Sequence, residues 1–230
     1  MRRPIAAIVG LALAAGLFAG APGLANAPPS FSPPPLFHLG PKKPQPSLAF
    51  TYGGFQVDAS QTPKGVSPDK AIRQIKAQID LVQRLGLKPE VLAFMRTVPI
   101  LADPAKPNAP GESAHYTAGR GVMIRISRLA PKKPVLLEGL LEAYYDQRLQ
   151  PPARTDVSGF RSDAKNRKLP LWPNSAMMLQ SDSAYFALTA SAYLNGEITR
   201  EPYTRAKLRQ TQPRYYRWLA TYFDDGRARG

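Results

Sequence analysis

Proline is concentrated near the N-terminus, and this confines the fold to the rest of the chain. Proline fixes φ and lacks an N–H donor, so a proline-dense segment favours an extended, semi-rigid backbone. Residues 28–48 are therefore predicted to be a linker, with one folded domain over residues 49–225 and a short tail over residues 226–230. The linker contains Pro28, Pro29, Pro33, Pro34, Pro35, Pro41, Pro44 and Pro46.

The residues before the linker have the pattern of an export signal. Two arginines at positions 2 and 3 precede an apolar run over residues 5–21, and the Ala-Asn-Ala of residues 25–27 fits the small-x-small cleavage rule. We predict a signal peptide over residues 1–27 and a periplasmic or extracellular protein. Because Pro28 is unfavourable after a cleavage site, an uncleaved signal that attaches the protein to a membrane stays open as an alternative.

The chain has no cysteine and a formal net charge of +15. Disulfides and thiolate metal sites are thereby excluded. A basic exported protein is drawn to anionic envelope polymers, although charge that only keeps the surface soluble is the plainer interpretation. No dense basic block and no nucleic-acid-binding motif is present, so we expect no nucleic-acid partner.

Hydrophobic periodicity predicts an α+β fold, with strands mostly early in the chain and helices late. A strand over residues 48–57 is interrupted at Gly53-Gly54, and Gly119-Arg120-Gly121 predicts a hairpin turn. After Ser67 and Pro68, apolar residues at helical spacing (Ile72, Ile75, Ile79 and Val82) predict a first helix. Further strands are predicted over residues 98–101 and 122–126, and further helices over residues 88–95, 135–149, 158–168, 182–194, 204–211 and 214–223.

The run over residues 136–147 (LLEGLLEAYYDQ) resembles the active-site helix of zincin-type zinc peptidases. It is most similar to an exported bacterial group related to the catalytic domain of anthrax lethal factor. In that family two histidines four residues apart bind zinc, and the glutamate after the first histidine activates water. The two ligand positions correspond here to Glu138 and Glu142, and the general-base position corresponds to Gly139.

A second run, residues 181–187 (SDSAYFA), resembles the family segment that supplies the third zinc ligand, a glutamate. Ala184 stands at that position. The resemblance extends over about residues 49–223 and implies a zincin-like fold, a small sheet packed on helices, with helix 135–149 as the floor of a cleft beside strand 122–126. Residues expected to line what remains of a substrate groove are Tyr144, Tyr145, Asp146, Met177 and Tyr185.

The histidine content leads to the same conclusion without the resemblance. The chain has only His38, in the linker, and His115. A helical two-histidine zinc site cannot be built from them, so neither zinc nor another cofactor is expected, although the family binds zinc. No residue is assigned a catalytic role.

Two kinds of carboxylate site, a bound cation and an acid/base pair, would give the protein a cofactor or a catalytic residue after all. Glu138 and Glu142 share a helix face, and Asp146 extends it, so a hard cation such as calcium or manganese is conceivable there. With Ala184 in place of a third ligand, an acidic face that is solvated or paired with arginine is favoured. A glycosidase-like acid/base pair is disfavoured because side chains one turn apart point the same way and do not flank a bond.

The predicted function is that of a catalytically inactive zinc-peptidase homologue of the cell envelope that retains a peptide- or protein-binding groove. Two alternatives stay open. One is an active hydrolase with an unusual carboxylate-bound metal, and the other is a basic structural protein that associates with the envelope through its charge. Enzymatic activity is thus not settled by the sequence.

Overall fold

The computed structural model describes most of the predicted domain, and all described residues belong to one unit over residues 44–230. The predicted signal peptide (1–27) and the predicted linker, apart from Leu48, lie outside the described residues. So does the end of the predicted helix 158–168. The described residues are 48–104, 113–166, 176–199, 203–226 and 229.

A mixed five-stranded sheet has the strand order β1-β2-β3-β5-β4. The outer pairs, β1 with β2 and β4 with β5, are antiparallel, whereas β2, β3 and β5 run parallel. Parallel neighbours need crossover connections, and two helices, α1 and α2, form the one between β2 and β3. The strands are β1 (Ala49–Tyr52), β2 (Phe55–Asp58), β3 (Ile100–Ala102), β4 (Ala114–Thr117) and β5 (Gly121–Ile124).

The predicted hairpin at Gly119-Arg120-Gly121 is present, whereas the predicted interrupted strand over residues 48–57 is a second hairpin. Gly53 and Gly54 join β1 to β2 with φ of +58° and +86°, the left-handed backbone that a two-residue type I′ turn requires at both positions. The glycine pair therefore does not interrupt one long strand but folds it back on itself. The turn around Gly119 joins β4 to β5 in the same antiparallel way, which places His115 in the edge strand β4.

The predicted strand 122–126 is shorter than expected. β5 ends at Ile124 because its partner β3 ends opposite it, at Ala102, and Ile126 begins a 3₁₀ turn. Arg125 is buried and donates two hydrogen bonds of 3.1 and 3.0 Å to the Asp103 carboxylate. Burial of a charge requires such a partner.

Seven α-helices surround the sheet in the described part of the chain. Prolines stand at the first helical position of α1, α2 and α7, where the missing N–H costs nothing. In α1 the buried face includes Ile75, Ile79 and Val82 as predicted, whereas Ile72 is only half-buried. The helices are α1 (Pro68–Gln83), α2 (Pro89–Thr97), α3 (Val135–Gln147), α4 (Pro151–Asn166), α5 (Asp182–Asn195), α6 (Arg205–Thr211) and α7 (Pro213–Phe223).

Helices α3 and α5 form the centre of the helical layer. Every residue of α5 from Tyr185 to Leu194 is buried, and α3 packs against α5 on one side and against β4 and β5 on the other. The described residues thus form an α+β fold with a small mixed sheet packed on helices. No described helix combines the length and the apolar composition needed to cross a membrane.

Helix α4 begins seven residues before the predicted start. Only three of its side chains, Ala153, Val157 and Ala164, are buried, so its apolar stripe is too sparse to give a clear helical period. Contacts with α5 and α7 hold it in place instead: the Arg161 guanidinium pairs with Asp182, and the Trp218 indole N–H donates to the Asp156 carboxylate.

Candidate functional site

Helix α3, which carries the residues that align with the zincin motif, is anchored at its start by a side chain from α1. Its N-cap, Pro134, offers no side-chain acceptor. Gln78 takes that role: its Oε1 accepts from the Leu136 N–H at 3.0 Å, and its Nε2 donates to the carbonyls of Ala130 and Lys133. Gln78 is fully buried, so these three bonds fix where α3 begins relative to α1.

Gly139 lies on the face of α3 that packs against the sheet. A Cβ placed on Gly139 would lie 2.6 Å from Cγ1 of Val122 and 3.6 Å from the Cβ of Ala114. The second distance is an ordinary van der Waals contact, but a carbon–carbon contact of 2.6 Å does not occur in native packing. The position that aligns with the family's general base is therefore pressed against β5, with no room there for a larger side chain.

The two glutamates of the motif each bind a backbone N–H. Glu138 Oε1 accepts from Thr199 at 2.7 Å, and Glu142 Oε2 accepts from Tyr116 at 2.9 Å. Both side chains are half-buried. The carboxylates thereby link α3 to the segment after α5 and to strand β4.

The Tyr116 N–H is on the outer edge of the sheet. In an antiparallel pair, alternate residues direct their N–H and C=O groups toward the partner strand and away from it. Arg125 N–H donates to the Ser113 carbonyl, so residues 113, 115 and 117 face β5, and Ala114 and Tyr116 face away. Glu142 thus occupies one of the outward-facing donors of an edge strand.

The start of α5 is set by local capping and by α4. The Ser181 hydroxyl accepts from the Ala184 N–H at 3.0 Å, as the predicted N-cap should, and at the other end Gly196 closes the helix with φ of +96°. Arg161 binds both the Asp182 carboxylate and the Leu179 carbonyl. These contacts also fix the 3₁₀ turn Met177–Leu179 that precedes the helix.

One small pocket joins these elements. Glu138 and Glu142 line it from α3, Ala184 and Leu188 from α5, and Met177 from the 3₁₀ turn. The remaining lining residues are Ser113, Ala114 and Thr199. The space open to water inside is about 20 Å³, which is room for one or two water molecules. The three positions that align with the family's zinc ligands therefore lie together, and with them Met177 of the expected groove.

The tyrosines expected in the groove lie elsewhere. Tyr185 is fully buried and its hydroxyl donates to Gln212 Oε1 at 2.6 Å. Tyr144 packs between the rings of Phe94 and Phe186, and burial raises the pKa of its hydroxyl.

Tyr145 packs against Phe186 and lies 5.4 Å from the Arg154 guanidinium. Burial likewise raises the pKa of the Tyr145 hydroxyl. Asp146 is exposed, one turn beyond Glu142. None of these tyrosines lines the pocket; they belong to the packing between α3, α5 and the helices around them.

The residues of the pocket do not suit the zinc ion that is bound by the family the sequence resembles. Two carboxylates and an alanine replace two histidines and a glutamate, and both carboxylates already accept backbone N–H groups. Among the described residues no cluster of three or more His, Asp or Glu side chains could hold a metal ion.

Three residues that line the pocket, Thr199, Leu188 and Ser113, were not predicted from the sequence. Thr199 follows α5 by only four residues, and its Oγ1 is buried without a hydrogen-bond partner among the described residues. No periodicity could have placed it beside Glu138, because the contact spans 61 residues of chain.

No protein-family model, curated protein or solved structure matches this chain.

Proposed function

We propose that the protein is a zincin-like peptidase homologue of the cell envelope that has lost its catalytic centre and binds a peptide or protein segment along β4. The observation that carries this proposal is the convergence of Glu138, Glu142 and Ala184 on one pocket beside an edge strand. Glu138 and Ala184, 46 positions apart in the chain, line the same pocket, which supports the family resemblance. Export and the family itself remain inferences from the sequence.

The chemistry of the pocket supports binding rather than hydrolysis. Metal-assisted amide hydrolysis needs a polarised carbonyl and an activated water. Gly139 supplies no base, and the space beside it is filled by Val122. Glu138 and Glu142 are engaged with backbone N–H groups, which fixes their orientation toward α3's neighbours.

The edge strand supports a peptide as the partner. An extended peptide adds to an exposed edge through main-chain hydrogen bonds, and nearby pockets select its side chains. Glu142 already binds the Tyr116 N–H, so an incoming strand would pair with Ala114 and with the Tyr116 carbonyl. Met177 and Leu188 would offer apolar contact to one side chain of that strand.

The test is binding of an array of random peptides to the purified protein and to two proline variants. Ala114→Pro removes an outward-facing N–H from β4 while leaving the β4–β5 hydrogen bonds in place. Thr51→Pro is the matched control on the opposite edge, because Ala59 N–H donates to the Leu48 carbonyl and Thr51 therefore faces away from β2. We expect a sequence-selective set of peptides whose affinity falls at least tenfold in Ala114→Pro and is unchanged in Thr51→Pro. Binding without sequence preference, or equal losses in both variants, would contradict the proposal.

The metal content of the purified protein separates this proposal from the active-hydrolase alternative. Elemental mass spectrometry after dialysis without chelator is expected to find no stoichiometric metal. One metal ion per chain that is lost in the double variant Glu138→Gln, Glu142→Gln would establish a carboxylate-bound metal and overturn the proposal.

A further inference from the structure

The junction of α6 and α7 carries an unbalanced positive charge. Residues 203–223 contain five basic residues and no acidic residue. Three of the arginines, Arg209, Arg214 and Arg217, are exposed. We refer to these three residues as the basic corner.

The arginines of the basic corner differ from those that are paired with carboxylates within the fold. Arg125, Arg161 and Arg229 each bind a carboxylate. By contrast, Arg209, Arg214 and Arg217 form no ion pair with any residue that the structure describes. The neighbouring carboxylate is Asp163 of α4, which lines a cavity of about 160 Å³ together with Arg214 but is not within ion-pair distance. The charge of the corner is therefore only partly offset.

The three arginines lie on two helices that share one residue. Gln212 both ends α6 and caps α7, and Arg209 stands one turn before it. Arg214 and Arg217 are three residues apart, so they share a face of α7. Their separation along the helix axis is about 4.5 Å, within the Debye length of roughly 8 Å at physiological salt, so a ligand meets both charges together.

We infer that the basic corner binds a linear anionic polymer with closely spaced phosphate or carboxylate groups. Arginine is suited to this ligand because its planar fork donates two parallel hydrogen bonds to either group. A polymer is favoured over a membrane surface since the apolar residues of α7, among them Leu219 and Phe223, are buried in the core. Apart from the partly buried Trp218 and Tyr222, the helix thus presents charge rather than an apolar face for insertion between lipids. This inference does not depend on the peptide-binding proposal.

The test uses a fluorescently labelled inorganic polyphosphate chain as the probe, with the full protein and two triple variants. The corner variant is Arg209→Gln, Arg214→Gln, Arg217→Gln. The matched control is Arg73→Gln, Arg84→Gln, Arg120→Gln, which removes the same charge from three arginines that are exposed on other elements. Circular dichroism melting verifies that each variant is folded.

We expect the wild-type affinity to fall linearly on a log–log plot against salt, because bound phosphates release counterions. The corner variant should bind at least tenfold more weakly, with the salt slope reduced by about 2, and the control variant should lose less than threefold. Equal losses in the two variants would attribute binding to net charge alone and overturn the inference. Stronger corner-dependent binding to phosphatidylglycerol vesicles than to the polymer would overturn the choice of a polymer as well.

Discussion

The Glu142 carboxylate accepts the outward-facing N–H of Tyr116 at 2.9 Å, so α3, whose sequence resembles the zincin motif, is bonded directly to the sheet edge. The side chain at the position that would correspond to a zinc ligand thereby performs a structural task. The same bond protects one donor of an edge strand, which otherwise is a template for unwanted strand pairing.

Removal of this bond should loosen the sheet edge. In Glu142→Ala the half-buried Tyr116 N–H loses its acceptor, and we expect the free energy of unfolding to fall by about 1–2 kcal/mol. Hydrogen exchange of the Tyr116 amide should accelerate more than that of Val122 in the next strand. Asp146→Ala, one turn further along the exposed end of α3, is the control and should change stability by less than about 0.5 kcal/mol. Equal effects of the two substitutions would show that Glu142 has no special role at the edge.

Two glycine-to-alanine substitutions should have opposite effects. Gly159→Ala in α4 adds a methyl group into open space and should stabilise the protein by about 0.5–1 kcal/mol, the gain in helix propensity. Gly139→Ala gains the same propensity but drives Cβ against Val122, and overpacking costs about 1–3 kcal/mol. Urea denaturation should therefore show a net loss for Gly139→Ala.

A second substitution tests the cause of that loss. Val122→Ala opens the space beside Gly139, so its own cost should be smaller when Gly139→Ala is already present. Independent, additive losses would contradict the packing explanation.

Gln78 should be far more sensitive to substitution than Gln74, one turn earlier in α1. Gln78→Leu leaves the buried Leu136 N–H without its acceptor and removes one of the two donors of the Ala130 and Lys133 carbonyls, and we expect a loss of about 1–3 kcal/mol in the free energy of unfolding. Gln74 makes one hydrogen bond of 3.3 Å, and its Oε1 has no partner among the described residues, so Gln74→Leu should cost about 0.5 kcal/mol or less. Comparable losses would mean that Gln78 does not anchor α3.

The C-terminal cluster around Asp224 should make stability depend on acid pH. Burial acts to raise the pKa of the Asp224 carboxyl, but hydrogen bonds from Arg229 and Tyr193 and the nearby positive charges outweigh it and hold the pKa below its usual 3.8. A lowered pKa in the folded state contributes stability that is present above the unfolded pKa and is lost as the pH falls through the folded pKa. The difference in free energy of unfolding between wild type and Asp224→Asn should therefore be largest near neutral pH. It should diminish as the pH falls below about 4.

The side-chain resonance of Asp224 provides the control for this interpretation. In Arg229→Gln the main source of the lowered pKa is removed, so the midpoint of the Asp224 titration in the NMR spectrum should move upward. An unchanged midpoint would assign the low pKa to a group other than Arg229.

Much of the secondary structure could be predicted because its signals act over a few residues. Ser181 caps α5 through Ala184, three positions on, and Gly196 ends that helix by adopting a backbone that other residues avoid. Gly53 and Gly54 use the same conformational freedom to make a hairpin turn where an interrupted strand was predicted. The start of α4 was missed because contacts with distant carboxylates and rings, rather than an apolar period, hold that helix in place.

The same distinction between local signals and distant contacts applies to the candidate site. By itself, the sequence determined that Glu138 and Glu142 lie on one face of α3, since residues four apart share a face at 3.6 residues per turn. Only the tertiary structure decided that Ala184 of α5 turns toward that face while its neighbour Tyr185 turns into the core. Adjacent helical residues point about 100° apart, and which of them meets the pocket depends on how α5 is rotated against α3. That rotation is set by the packing of side chains far apart in the chain, for which no local pattern exists.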